Sequence, residues 1–227
     1  MALIKFKHKN KTWAIVRNQK CSTTTMLSYV AQALWNADPR EEQFYRNFQN
    51  YAPGVYIKRR LFEQYKQDLL SADIRIALWR DPIEKFVSGY YHTMSNTANR
   101  ELWIKSPSIK NFILDYNHYI QNENVADHCQ SNTDRLGPDK SIYTHIFNYK
   151  QVHKIAELLG VPAHNTHHRK DNTMRKGPSV TEKLRIKQIQ LKDCAKENEK
   201  CLVDTKGNNT CCGDFSCVRL KNNFGYK

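Results

Sequence analysis

Apolar and polar positions alternate along the chain in two modes, and the mode changes twice at a strand-to-helix junction. In the first case, Ile74, Ile76, Ala77, Leu78 and Trp79 form a short, almost continuous apolar run, the pattern of a strand covered on both faces. Asp81 follows as an N-cap, and Pro82 suits the first helical position, where no backbone N–H is needed. Glu84, three residues after the cap, completes a predicted capping box. Ile83, Phe86, Val87, Tyr90 and Met94 then recur at helical spacing. Arg80 is thereby held at the carboxyl end of a strand, where open α/β sheets bind ligands, with Ser88 two turns further on. The second case lies upstream. Thr12 to Arg17 reads as a strand, and Met26, Leu27, Val30, Ala31 and Leu34 mark a helix. Between them, residues 18–25 carry one cation, Lys20, and four consecutive hydroxyls, Ser22, Thr23, Thr24 and Thr25.

The remaining pattern predicts more of the same alternation. Residues 39–49 suggest a helix burying Phe44, Tyr45 and Phe48, residues 54–58 a short strand, and residues 60–70 a helix. Phe112, Ile113, Tyr116 and Tyr119 give residues 111–120 a helical pattern. Residues 142–148 alternate as a strand does, and Val152, Ile155, Ala156 and Leu159 mark a helix closed by Gly160. Ser179 and Glu182 form a capping box that opens a helix to about residue 199. Strands alternating with helices predict an α/β fold: a P-loop-like, three-layer arrangement with a central parallel sheet flanked by helices. One domain over residues 1–192 is expected, followed by a small Cys-rich tail over 193–227.

Both junctions are suited to anions. A helix N-terminus offers unpaired N–H groups and the positive end of its dipole, and a guanidinium is a planar fork of donors that fits a phosphate monoester. The glycines and the G-x-x-x-x-G-K-[ST] pattern of an ordinary ATP- or GTP-hydrolysing P-loop are absent from residues 18–25.

With both junctions in view, the chain resembles the sulfotransferases that use 3′-phosphoadenosine 5′-phosphosulfate (PAPS), above all the carbohydrate branch of heparan and chondroitin type with its microbial or viral relatives. Residues 19–25, Gln-Lys-Cys-Ser-Thr-Thr-Thr, are similar to that family's P-K-x-x-S-T-S loop for the 5′-phosphosulfate, with glutamine in place of proline. Residues 80–90 are similar to its R-D-P-x-x-R-x-x-S-x-Y element for the 3′-phosphate, with Lys85 in place of the second arginine. The likeness spans roughly residues 10–190, and these two segments carry its specificity. It implies donor contacts from Lys20, Cys21, Ser22, Thr23, Thr24, Thr25, Arg80 and Ser88, with Lys20 stabilising the leaving phosphate. Residues 174–177 also resemble the R-K-G of cytosolic sulfotransferases, which implies a 3′-phosphate role for Arg175, Lys176 and Gly177. Asp127-His128-Cys129-Gln130 resembles a shortened D-x-H-x-x-P-Q element. Family members use a histidine or glutamate as base. The matching residues 55–60 offer only lysine and arginine, which leaves His128, ranked first, and His92. The reaction needs no metal, and the sequence has no HExxH or paired CxxC site.

Composition agrees with an anionic partner. Lys and Arg total 36 against 22 Asp and Glu, a net charge of +14. A polyanionic donor, with an acceptor expected to be a glycan or another hydroxyl compound, fits this charge. A nucleotide-dependent small-molecule kinase and a non-catalytic basic nucleic-acid-binding protein are the alternatives; the first predicts magnesium dependence and the second salt-sensitive binding to generic DNA or RNA. No apolar run is long enough to span a membrane, and the N-terminus lacks the apolar core of a signal peptide. Golgi members of the resembled family have a membrane anchor, so a cytoplasmic or soluble microbial or viral form is expected, or a Golgi-lumen form trimmed of its anchor.

Cys194, Cys201, Cys211, Cys212 and Cys217 crowd the end of the chain, while Cys21 and Cys129 stand alone. The tail spacing looks like a truncated inhibitor cystine knot lacking its sixth cysteine, which implies two disulfides in an oxidising compartment or a reduced, disordered tail in the cytosol.

Overall fold

The computed structural model describes residues 3–38, 55–57, 61–95, 107–164 and 178–197, excepting the side chains of 56, 57, 95 and 191–197. Among the described residues, five strands form one sheet: β1 (Leu3–His8), β2 (Lys11–Val16), β3 (Tyr56–Ile57), β4 (Ile74–Trp79) and β5 (His145–Asn148), in the order β3-β1-β2-β4-β5. The described helices are α1 (Thr23–Trp35), α2 (Phe62–Leu70), α3 (Pro82–Ser95), α4 (Ile109–Leu114), α5 (Tyr116–Tyr119), α6 (Glu123–Cys129), α7 (Asn132–Leu136), α8 (His153–Leu159) and α9 (Val180–Glu197). A 3₁₀ turn, Tyr149–Gln151, follows β5.

The sheet is mixed, which corrects the expectation of a parallel one. β2, β4 and β5 run parallel, but β1 pairs antiparallel with both β2 and β3. The cause is a two-residue hairpin. His8 pairs with Lys11, and Lys9 and Asn10 between them both have positive φ, 49° and 59°. Left-handed backbone at both central residues matches the twist of the flanking strands, and a loop this short forces antiparallel pairing.

Alternation along the strands sends side chains to two helical layers. Ile4, Phe6, Trp13, Ile15, Ile76 and Leu78 pack with Met26, Val30, Ile155 and Leu159 of α1 and α8. Leu3, Ala14, Val16 and Ala77 pack with Phe62, Tyr65, Leu69, Leu136 and Tyr143 on the other side. Hence the protein is an α/β structure with helices on both faces of the sheet. A third cluster of Phe86, Tyr90, Phe112, Ile113, Val125, Cys129 and Ile186 joins α3, α4, α6 and α9.

Several element limits differ from the sequence pattern. The helix expected over 111–120 is broken at Asp115, whose backbone (φ −112°, ψ 33°) leaves the helical region, so α4 and α5 are separate. The strand expected from Ile142 begins only at His145, because Tyr143 turns into the core and its hydroxyl donates to the Leu136 carbonyl at 2.7 Å. The helix expected over 39–49 lies outside the described residues. The residue 192/193 boundary falls within α9, and residues 198–227 lie outside the described part.

Gly160 closes α8 in left-handed backbone (φ 76°), donating to the Ala156 carbonyl at 2.9 Å. A Cβ there would meet the Lys9 Nζ at 2.6 Å, the movable end of a flexible side chain. The cost of Gly160→Ala is therefore mainly backbone strain, about 1 kcal/mol. Chemical denaturation should show that loss, and an unchanged midpoint would count against this reading of the cap.

Candidate functional site

The carboxyl ends of β2 and β4 lie side by side, since Val16 pairs with Ala77 in parallel register. Each chain leaves the sheet into a helix there, so residues 17–25 and Arg80 converge. Asn18 sets the first turn: its carbonyl accepts from the Cys21 N–H at 3.2 Å and from the Thr23 hydroxyl at 3.1 Å. Lys20 and Ser22 both adopt left-handed backbone, φ 64° and 55°. For non-glycine residues that costs roughly 1–2 kcal/mol each and persists only where surrounding contacts over-determine it. Ser22 is fastened by its hydroxyl to the Tyr149 carbonyl at 3.0 Å, and the Lys20 carbonyl accepts from Arg80 Nη1 at 3.1 Å. Strained polar backbone thus supplies here the left-handed conformations that glycine more often supplies.

α1 begins at Thr23 without a side-chain cap, so its first-turn N–H groups lack a capping acceptor from Ser22. The Thr23 hydroxyl is used within the loop, and Thr25 is buried beside it, its carbonyl accepting from Ser28 Oγ at 2.6 Å. Ser22 and Thr24 are half-buried at the loop surface. Cys21 points wholly inward, and burial pushes its thiol up to about 12.

Arg80 is gripped from three sides. Its Nε donates to Glu84 Oε2 at 3.3 Å, Nη1 donates to Lys20, and the guanidinium carbon lies 4.4 Å from the centre of the Tyr149 ring. The Tyr149 hydroxyl donates to the same Glu84 oxygen at 3.2 Å. Asp81 caps α3 as expected, its Oδ1 accepting from the Ile83 and Glu84 N–H groups at 3.0 Å each. Glu84 turns to Arg80 and Tyr149, so the predicted reciprocal capping box gives way to an ion pair.

Beneath the loop lies Lys85, 1 % exposed, whose Nζ donates to the Gln130 carbonyl just past the end of α6. Burial lowers its pKa to about 8. The position that the family motif fills with arginine is thus an interior ammonium at a helix C-terminus, where the dipole favours it.

His92 and His128 come together, with ring centroids 4.3 Å apart and planes 30° from parallel. The close approach of α3 and α6 permits this, because a Cβ on Gly89 would lie 2.5 Å from the His128 carbonyl oxygen and 2.9 Å from Cys129 Sγ. His128 Nδ1 lies 2.8 Å from the Asn124 carbonyl, which can only accept. The ring therefore carries its proton on Nδ1, leaving Nε2 with a lone pair when neutral. Burial lowers His128 from its ordinary 6.5 to about 4; the Asn124 carbonyl and Asp127 oppose the shift, while Lys20 and Arg17 add to it. Ser88 is half-buried one turn before His92 on α3. Arg175, Lys176 and Gly177 lie outside the described residues. No group of three or more His, Cys, Asp or Glu among the described residues is placed to hold a metal. No described helix is long and apolar enough to cross a membrane.

Sequence reasoning missed Asn18, Asn132 and Tyr149. Asn18 Nδ2 donates to the Leu78 carbonyl at 3.1 Å and to Asn132 Oδ1 at 2.9 Å, and Asn132 Nδ2 donates to the Arg80 carbonyl at 2.8 Å. Both amides are buried and tie the two junctions together. Only their meeting in space marks them; neither belongs to a motif. No protein-family model, no curated protein and no solved structure matches the chain.

The His128 shift has a defined acid signature. Its folded form refuses a proton that the unfolded chain accepts near pH 6.5, so stability falls as pH drops from 6.5 towards 4 and is independent of this group above that window. Replacing it in His128→Gln should flatten the pH dependence of stability between pH 6.5 and 4 by on the order of 1–3 kcal/mol. Parallel denaturation curves for the two proteins across that range would contradict the assignment.

Proposed function

We propose that the protein is a PAPS-dependent sulfotransferase of P-loop-like architecture, transferring a sulfuryl group in line to a hydroxyl or amine, with a carbohydrate as the expected acceptor. The observation that carries this reading is the 3.1 Å hydrogen bond from Arg80 Nη1 to the Lys20 carbonyl, which joins two anion-suited strand–helix junctions at adjacent strand ends. A donor with phosphate groups at both the 3′ and 5′ positions requires two such subsites side by side. One phosphate alone would need only one.

In this reading the 5′-phosphosulfate lies against Lys20 and the first-turn N–H groups of α1, and the 3′-phosphate against Arg80 and Ser88. The acceptor oxygen attacks sulfur as the bond from sulfur to the bridging oxygen breaks. Adenosine 3′,5′-bisphosphate leaves with that electron pair, and Lys20 and the α1 dipole stabilise the charge. The acceptor proton passes to Nε2 of His128, the ring atom left unprotonated by the Nδ1 contact with Asn124. His92, stacked on that ring, is the second candidate to contact the acceptor. A base lowered to about 4 is weak in the empty protein. An anionic donor beside Lys20 and Arg17 offsets the smaller, like-charge part of that shift, while burial, the larger part, remains.

Calorimetry should show that adenosine 3′,5′-bisphosphate binds about tenfold or more tightly than adenosine 5′-monophosphate. Arg80→Ala should erase the preference, and Lys20→Ala should weaken both ligands. Equal affinities in the native protein would overturn the two-subsite reading. Transfer of labelled sulfate from PAPS to glycans, phenols and lipids then identifies the acceptor.

A further inference from the structure

Glu84 stands where an incoming phosphate needs to be. Its Oε2 takes the Nε edge of the Arg80 guanidinium, one of the edges through which arginine grips a phosphate with paired hydrogen bonds. The Tyr149 ring covers the guanidinium face at 4.4 Å, and the Arg80 side chain is only 20 % exposed, so it cannot swing out to meet a ligand elsewhere. Nη1 is already committed to the Lys20 carbonyl. The mobile partner is therefore the carboxylate: the Glu84 side chain is 49 % exposed, and the Tyr149 hydroxyl offers it a second hydrogen bond at 3.2 Å.

Resting on the donor-site reading above, we infer that Glu84 is an internal competitor for the 3′-phosphate subsite, and that donor binding exchanges the Glu84 carboxylate for phosphate on Arg80 while Tyr149 retains the displaced side chain. The pair holds Arg80 in place in the empty protein, and displacing the carboxylate subtracts from the affinity of a phosphate that takes its place. A hydroxyl at the same position, as in a 5′-monophosphate, cannot displace a carboxylate from a guanidinium. Glu84 thereby tempers the affinity for a 3′-phosphate without touching the bound ligand. The nearby carbonyl of Lys20 and the ring of Tyr149 keep Arg80 oriented after the exchange.

The experiment compares Glu84→Gln with the native protein for adenosine 3′,5′-bisphosphate and adenosine 5′-monophosphate by calorimetry. The amide keeps the shape and the Tyr149 contact but removes the competing charge. Bisphosphate affinity should rise about twofold to fivefold, with monophosphate affinity unchanged. In an Arg80→Ala background the same substitution should have no effect. An equal gain for both ligands would mean that only the general field changed, and would overturn the inference. So would no gain, or weaker bisphosphate binding, the result expected if Glu84 served only to orient Arg80. A native protein with no bisphosphate preference overturns the donor-site reading as well, whereas a preference that Glu84→Gln leaves untouched overturns the competitor alone. Circular dichroism melting of each variant confirms that the comparison is between folded proteins.

Discussion

The paired amides of Asn18 and Asn132 are the constraint on which the rest of the site depends. Parallel pairing of β2 and β4 brings two chain exits together, but pairing alone leaves the backbone beyond each strand undirected. Asn18 bonds to the end of β4 through the Leu78 carbonyl, Asn132 bonds to the Arg80 carbonyl, and the two amides bond to each other. In a buried setting each such bond is strengthened by the low local dielectric, and losing one leaves a buried polar group unpaired, at a cost of about 1–3 kcal/mol. On this frame, the Ser22 hydroxyl bonded to the Tyr149 carbonyl and Arg80 Nη1 bonded to the Lys20 carbonyl hold the left-handed backbone at Lys20 and Ser22.

Around that frame the chemistry is arranged in two depths. Lys20, Arg80 and the start of α1 lie at the loop, where an anion can reach them. Lys85, Cys21 and Cys129 lie beneath it, all fully buried. Burial raises both thiols to about 12, so they stay protonated near neutral pH despite the nearby Lys85 ammonium. Lys85 instead anchors the end of α6 through Gln130, and so helps hold the helix that carries His128. That histidine is itself shifted well down, and the main cause is again burial.

Legibility in the sequence followed locality. Arg80, Asp81 and Pro82 sit in one strand–cap–helix run, so the junction, its cap and the place of the arginine were all readable. The Lys20 loop was readable for the same reason. The hairpin at Lys9 and Asn10 was not anticipated, because neither residue is glycine and the alternation of Leu3, Ile4 and Phe6 is short. It is this hairpin that makes the sheet mixed. Glu84 fits a capping box locally, but the partners that win, Arg80 and Tyr149, include one 65 residues away. Asn18, Asn132 and Tyr149 carry no pattern of their own. Their roles arise from β5 and α7 folding back onto the β2 and β4 exits.

The central claim is that the Lys20 loop and Arg80 bind one ligand as one site. Heteronuclear NMR tests it directly by following the backbone amides of Thr23, Thr24 and Thr25 together with the Arg80 Nε–H as adenosine 3′,5′-bisphosphate is added. A shared site predicts that both sets of resonances move along one saturation curve with a single Kd. Saturation of one set while the other stays still, or two curves with different Kd values, would contradict it.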